Sequence, residues 1–200
     1  MVIARVAQAR RRAVRGTSMI EVLVTLVIIA FGLLGMVGLQ AKLQSTEMES
    51  YQRTQALLLL DDLRGRIEAN RLQVANYPEN ASLAAPVGAG MACPAPTAPS
   101  PRVLQDVRQW SLNLQGAGEK VCADSVGAMI GGRGCVEDLG VGASGDLTIR
   151  VSVAWQGLTP IAAPTEACGA NLYNGPAGTP CQGDLCRRVV STVIRIANLK

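Results

Sequence analysis

A single carboxylate, Glu21, stands immediately before twenty residues without a charge, Val22 to Ala41. Ser18 lies three positions earlier, which suits a capping box: the serine oxygen accepts an amide at the helix start and the glutamate covers another. A second chemistry is charge pairing in an apolar medium. A carboxylate near the centre of a bilayer costs about 2.5 kcal/mol or more, and less near the interface, so it calls for a partner. On the residues alone, both readings stand. The other chemistry-bearing set is six cysteines: Cys93, Cys122, Cys135, Cys168, Cys181 and Cys186. They contain no CxxC pair and the chain has no histidine, which argues against zinc and against a metal site generally. An even number of spread cysteines suits disulfides formed in an oxidising compartment. If Lys120–Asp124 and Arg133–Asp138 form a hairpin, Cys122 comes close to Cys135; the other two pairings stay open.

Other patterns match catalytic or ligand motifs only by letter. Without histidine there is no Ser-His-Asp or Cys-His nucleophile and no imidazole proton shuttle. Asp61-Asp62 and Glu137-Asp138 are adjacent carboxylates, not the facing pair that acid–base hydrolysis needs. Gly140-Val141-Gly142-Ala143-Ser144-Gly145 spells GxGxxG, but a strand pattern follows it where a phosphate site needs a helix N-terminus, so it reads as a turn. Asn80-Ala81-Ser82 is a sequon by letter alone. Arg187-Arg188 opens a strand pattern and reads as edge protection or a surface ion pair. These residues predict no catalytic group, no cofactor and no metal.

The charge is unevenly placed. Arg5, Arg10, Arg11, Arg12 and Arg15 precede Gly16 with no acid among them, and the remainder carries a formal charge of −1 although the whole chain is at +4. The basic balance therefore belongs to the leader and gives no electrostatic footprint for nucleic acid. Twenty uncharged residues at 1.5 Å each reach about 30 Å, the thickness of a bilayer's hydrocarbon core. The arginines before them keep the N-terminus cytoplasmic and export the rest. A secretory signal peptide has a shorter apolar region and a small-x-small cleavage site, and here the helix pattern runs on into Lys42-Leu43-Gln44.

The elements that position these groups follow from the periodicities. No proline occurs before Pro78, so residues 17–76 are expected as one helix: 17–41 apolar, then 42–76 amphipathic. Leu43, Met48, Tyr51, Leu57, Leu60, Leu63 and Ile67 form the apolar stripe of the second half, with Leu57–Leu60 as core. Gly32, Gly35 and Gly38 suit close packing and some looseness of the first half. Tyr77 to Pro101 reads as a surface loop. Pro101–Leu114 reads as a short helix or irregular segment with Val103, Val107 and Trp110 on one face. In 146–156, Leu147, Ile149, Val151, Val153 and Trp155 alternate with polar residues, predicting a strand with one buried and one wet face. Arg188–Ala197 predicts another, and the Gly/Pro-rich loop between them carries Cys168, Cys181 and Cys186. The fold class is α+β: a long N-terminal helix packed on an antiparallel β-sheet head, closed by a disulfide-bearing C-terminal loop.

Arg15-Gly16, then Thr17, then Met19-Ile20-Glu21-Val22-Leu23-Val24 and an unbroken apolar helix together resemble the type IV pilin and pseudopilin family. Members have a basic leader ending in Gly, Glu at the fifth mature position and such a helix; Thr17 departs from their usual first residue, Phe or Met. The resemblance spans about residues 10–45. It implies a leader, residues 1–16, removed by a prepilin peptidase between Gly16 and Thr17, with N-methylation of Thr17. It implies that Glu21 pairs with the Thr17 ammonium of a neighbouring subunit, and that 77–200 is a pilin-like head. Trp155-Gln156-Gly157 and Cys186-Arg187-Arg188-Val189-Val190 resemble a minor-pilin branch of the family. The implied function is a structural, non-enzymatic subunit that helps initiate pilus assembly at or near the fibre tip. Its implied partners are the inner membrane, the prepilin peptidase, other minor and major pilins and a tip adhesin. Its implied location is the inner membrane, N-terminus cytoplasmic and head periplasmic, and then the extracellular pilus. A pseudopilin of a type II secretion system shares the leader and helix, though its head usually has fewer cysteines. A bitopic membrane enzyme or sensor with an uncleaved anchor, and a DNA-uptake pilin, are the remaining alternatives.

Overall fold

A computed structural model of the chain describes residues 16, 18–91, 101–116, 129–142 and 145–197. The chain divides into two compact units, Met1–Gln44 and Ser45–Lys200. Helix α1 (Met19–Ala69) crosses that division. A 3-10 turn (Arg71–Asn76), α2 (Tyr77–Asn80), β1 (Val87–Gly88), α3 (Arg102–Leu114), β2 (Arg133–Val141), β3 (Leu147–Gln156) and β4 (Arg187–Ile196) follow. The strands form one sheet in the order β1-β2-β3-β4, each neighbouring pair antiparallel. A long apolar N-terminal helix, an antiparallel sheet and disulfides are thus present as expected.

In the first unit the helix from Met19 onward is exposed along its whole described length, with Phe31 at 71% and Leu34 at 68%. It is long and apolar enough to cross a membrane. No side chain comes within 4 Å of a Cβ built on Gly32, Gly35 or Gly38.

In the second unit the buried stripe of α1 is Gln52, Ala56, Leu60, Leu63 and Ile67. This corrects the expected stripe, because Met48, Tyr51, Leu57 and Leu58 are exposed. Leucine is common on both faces here, and the small Ala56 marks the buried one because it lets the helix approach its neighbours. The helix also stops at Ala69, short of the expected residue 76. Its end has no proline or glycine; Asn70 leaves the helical region at φ −115°, ψ 41°, and its side-chain amide donates to the Tyr77 hydroxyl at 3.2 Å. Asparagine side chains offer the backbone such alternatives to the helix. Tyr77 in turn donates to Asp106 at 2.7 Å, and Arg102 lies 3.1 Å from the same carboxylate. Burial, with the carboxylate beside it, pushes the Tyr77 hydroxyl up to about 12 against the opposing Asn70 hydrogen bond, so it stays a neutral donor. The turn at 70–77 is therefore fixed by a buried contact to α3. The segment expected as loop carries α2 and β1; residues 92–100 lie outside the described residues.

Val103, Val107 and Trp110 bury one face of α3, as the spacing predicted, and Leu114 extends it. They join Ile149, Val151, Val153 and Trp155 of β3 and the α1 stripe in the main core. Trp110 donates its indole N–H to the Leu59 carbonyl at 2.8 Å, tying α3 to α1. Its ring lies so close to β2 that a Cβ on Gly134 would sit 2.2 Å from it.

Strand β2 pairs with β3 along its length and with β1 at its start. Residues 120–124 lie outside the described residues. Gly140 and Val141 of the GxGxxG stretch end β2, and the Gly145 N–H donates to the Gly142 carbonyl at 2.9 Å ahead of β3; residues 143 and 144 lie outside the described residues. A bulge sets Asp138 opposite Ile149 and Gly140 opposite Thr148, and the Asp138 carboxylate accepts the Gly140 N–H at 2.7 Å.

A Gly134→Ala substitution drives a methyl into a fully buried tryptophan ring that cannot yield. We expect a loss of about 1–3 kcal/mol, measured by chemical denaturation of the full-length chain in detergent. Unchanged stability would mean that Trp110 does not pack on β2.

Candidate functional site

The residues singled out from the sequence fall into two separate regions. Gly16 is exposed and described; Thr17 lies outside the described residues, as do residues 1–15 of the leader. Ser18 caps α1: its hydroxyl oxygen accepts the Glu21 N–H at 3.3 Å and its carbonyl accepts the Glu21 and Val22 amides at 3.0 and 3.3 Å. The serine half of the capping box is therefore formed. Glu21 sits in the first turn, where a carboxylate is favoured by the helix dipole, and is exposed at the head of the apolar run. Among the described residues its carboxylate has no hydrogen-bond or ion-pair partner.

The cysteines lie in the head. Cys135 is bonded to Cys168 and Cys181 to Cys186. This corrects the Cys122–Cys135 pairing expected from the hairpin; Cys93 and Cys122 lie outside the described residues. The reason is the register. Cys135 lies opposite Ser152, on the face of β3 away from the helices, and the loop after β3 returns Cys168 over that face, its sulfur 3.8 Å from the Ser152 carbonyl. By chain entropy the wider bridge, with a sequence separation of 33, stabilises the head by about 4 kcal/mol, and the narrow one, with a separation of 5, by about 2 kcal/mol. Cys135, Ala154, Cys168 and Tyr173 form a second small core there. The face expected to be wet is consequently dry at Ser152 and Ala154.

Two arginines hold this loop; the ion pair expected at Arg187-Arg188 is present at the half-buried Arg188, whereas Arg187 is buried. Neighbours in a strand point to opposite faces. Arg187 goes to the cysteine side, 3% exposed, and donates to the carbonyls of Glu166, Cys168 and Pro164. Its Nε lies 3.2 Å from an Asp184 carboxylate oxygen, an ion pair without an aligned hydrogen bond. Asp184, at φ 62°, accepts the Asn171 N–H, and Asn171 sits at φ 63°. Asp and Asn are the types that tolerate this conformation. Tyr173 shares its one proton between the Gly131 and Ala154 carbonyls at 2.8 and 3.0 Å, and the Arg133 guanidinium lies 5.1 Å from its ring centroid.

Arg188 points the other way, to the helix side, beside its cross-strand partner Trp155. It meets Glu49 of α1 at 3.2 Å and donates to the Thr159 carbonyl at 2.6 Å. The same Glu49 oxygen accepts the Leu158 and Thr159 amides and the Thr159 hydroxyl. Burial raises the Glu49 pKa, but the Thr159 hydroxyl, the Arg188 charge and the two amides outweigh it and hold the carboxyl below 4.5. Sequence reasoning missed Glu49, Tyr173 and the separate tasks of the two arginines. Strand parity at Arg187-Arg188 was the available signal.

No family model, curated protein or solved structure matches the chain.

Replacing Arg187 by Lys keeps the charge but cannot serve three carbonyls with a planar fork. We expect destabilisation by about 2 kcal/mol, the range for buried groups left unpaired, in the same denaturation assay; a neutral outcome would show that the loop is held by its disulfide alone. Glu49 predicts a pH dependence. Its folded pKa is depressed, so its stabilisation is present above the unfolded value of 4.5 and is lost as pH falls through the folded value. Thermal melts of wild type and Glu49→Gln should differ at pH 7 and converge below pH 4.5. A gap that persists in acid would assign the effect to shape, not charge.

Proposed function

We propose that the chain is a minor type IV pilin of the PilV kind, a membrane-anchored structural subunit without catalytic activity. One observation carries this reading: Gly16 stands just before a helix whose first turn holds a serine-capped start and the lone carboxylate Glu21, and whose next twenty residues are uncharged and exposed. Apolar surface of that extent requires a lipid or protein neighbour. In this reading a prepilin peptidase cuts between Gly16 and Thr17 and methylates the new N-terminus. Glycine before the cut gives the protease close access to the backbone.

The mature helix first waits in the inner membrane with the head in the periplasm. Glu21, its own helix start already capped by Ser18, then neutralises the Thr17 ammonium of a neighbour as the subunit enters the fibre. A buried charge is tolerated when matched, and such a pair sets axial register. The oxidising periplasm suits the two described disulfides. The head takes its place at or near the tip beside other minor pilins, the major pilin and a tip adhesin, and helps to start assembly.

The test is an in-frame deletion complemented with wild type, Gly16→Glu or Glu21→Ala. Wild type should restore sheared surface pili, Gly16→Glu should remain uncleaved by mass, and Glu21→Ala should be cleaved yet fail to restore pili. Normal piliation in the deletion strain, with a secretion defect instead, would replace this reading by a type II secretion pseudopilin. An intact Gly16–Thr17 bond in the wild-type protein would leave an uncleaved anchor and overturn both.

A further inference from the structure

The two edges of the sheet differ. On one, β1 covers only Arg133 and Gly134 of β2, and the Val136 N–H donates to the Ala81 carbonyl at 2.6 Å. The rest of β2 carries Glu137, Asp138 and a bulge between Asp138 and Gly140. Charges and bulges keep an edge from pairing. On the other edge, β4 matches β3 residue for residue without a bulge and contains no proline or glycine. Its first two arginines do not guard it, since Arg187 is drawn under the loop and Arg188 is drawn to Glu49.

The register shows which backbone groups of β4 are left over. The Gly157 N–H donates to the Cys186 carbonyl at 2.7 Å, one step beyond the Gln156–Arg187 pair. Hydrogen-bonded pairs alternate along an antiparallel ladder. Arg188, Val190, Thr192 and Ile194 therefore turn their amides and carbonyls to β3, and Val189, Ser191, Val193 and Arg195 turn theirs outward. The Arg187 N–H obeys the same alternation, donating away from β3 to the Asp184 carbonyl at 3.0 Å. From Val189 onward the outward groups have no backbone partner among the described residues. Ser191, Val193 and Arg195 are exposed, Val193 at 56%.

Charge selects the occupant. Strand β4 holds three arginines and no acid, and Arg195 has no ion pair among the described residues. Pairing with a second copy through all four outward residues would set Arg195 beside Val189 of that copy, towards its Arg187, cation to cation. Like charges across a strand pair oppose it and opposite charges favour it. We propose that the outer edge of β4 receives an extended segment of another polypeptide as a fifth, antiparallel strand. An acidic residue of that segment lies opposite Arg195, with β-branched residues opposite Val193 and Val189. Main-chain hydrogen bonds supply the affinity and the side chains the specificity. This assignment is independent of the membrane helix and of the pilin reading.

The test uses the full-length chain in detergent micelles, labelled with 15N-valine. Val189→Ile, Val190→Ile and Val193→Ile spectra assign the three amides, and Val190, already bonded to β3, is the internal reference. Titration with Ac-Glu-Thr-Val-Thr-Thr-Thr-Val-NH2 should shift the Val189 and Val193 amides downfield and slow their hydrogen exchange, both saturably. The Val190 amide should exchange slowly throughout. N-methylation of the third, fifth and seventh peptide residues, whose N–H groups face β4, should abolish binding. N-methylation of the second, fourth and sixth should leave it intact. Arg195→Glu should weaken the peptide by about fivefold or more, and replacing the peptide's Glu by Lys should restore the loss. Arg195 is exposed, so its variant should keep the wild-type far-UV spectrum. The proposal is overturned by no saturable response at Val189 and Val193, by equal binding of the two N-methylated peptides, or by unchanged affinity in Arg195→Glu. It is equally overturned if exchange at Val189 and Val193 slows with protein concentration alone, which would make the edge a contact between copies.

Discussion

A four-stranded sheet has two faces, and in the head of this chain the helices cover only one. The contact between Ile149, Val151, Val153 and Trp155 of β3 and the buried stripes of α1 and α3 is the constraint from which the rest follows. It turns the 45–69 part of α1 so that Ala56, Leu60, Leu63 and Ile67 face inward. It brings Trp110 against Gly134, the one residue type that leaves room for the ring. It also forces the chain to leave α1 at Asn70 and come back as α3, a reversal secured by the Asn70–Tyr77–Asp106 hydrogen bonds.

The second face is closed by different means. Among the described residues no helix covers it, and the 30 residues between β3 and β4 contain no regular element. A loop of that length loses too much entropy to stay down on side-chain contacts alone. The Cys135–Cys168 bridge anchors its middle, Arg187 gathers three of its carbonyls, and Tyr173 caps the small core beneath. Arg188, leaving β4 on the opposite side, binds the start of the loop to Glu49. Adjacent arginines thus hold one loop from both faces of the sheet.

Reading the sequence captured what depends on local pattern. The apolar run with its leading Glu21, the Ser18 cap, the Val103-Val107-Trp110 face of α3 and the alternation of β3 were legible because period and spacing decide them. Patterns failed where two solutions were locally equal. Leucines at 57, 58, 59 and 60 occupy every side of a helix, and only packing selected Leu60. The end of α1 at Ala69 was illegible because the residues that stop it gain their advantage from Tyr77 and α3, not from their own propensities. The Cys122–Cys135 proposal failed because proximity in sequence was taken for proximity in space, and the sheet register placed Cys168 over Cys135 instead.

The sequence by itself determined that there is one long apolar helix, charged at its head and basic before it, followed by an α+β head with an even set of cysteines. Those properties are local or compositional, and hydrophobic periodicity is enough to carry them. Only the tertiary structure decided which cysteines meet, which arginine is buried, and that Glu49 accepts from a loop 109 residues away. Such contacts join residues with no sequence relation, and their partners are chosen by strand register and by the need to satisfy each buried polar group.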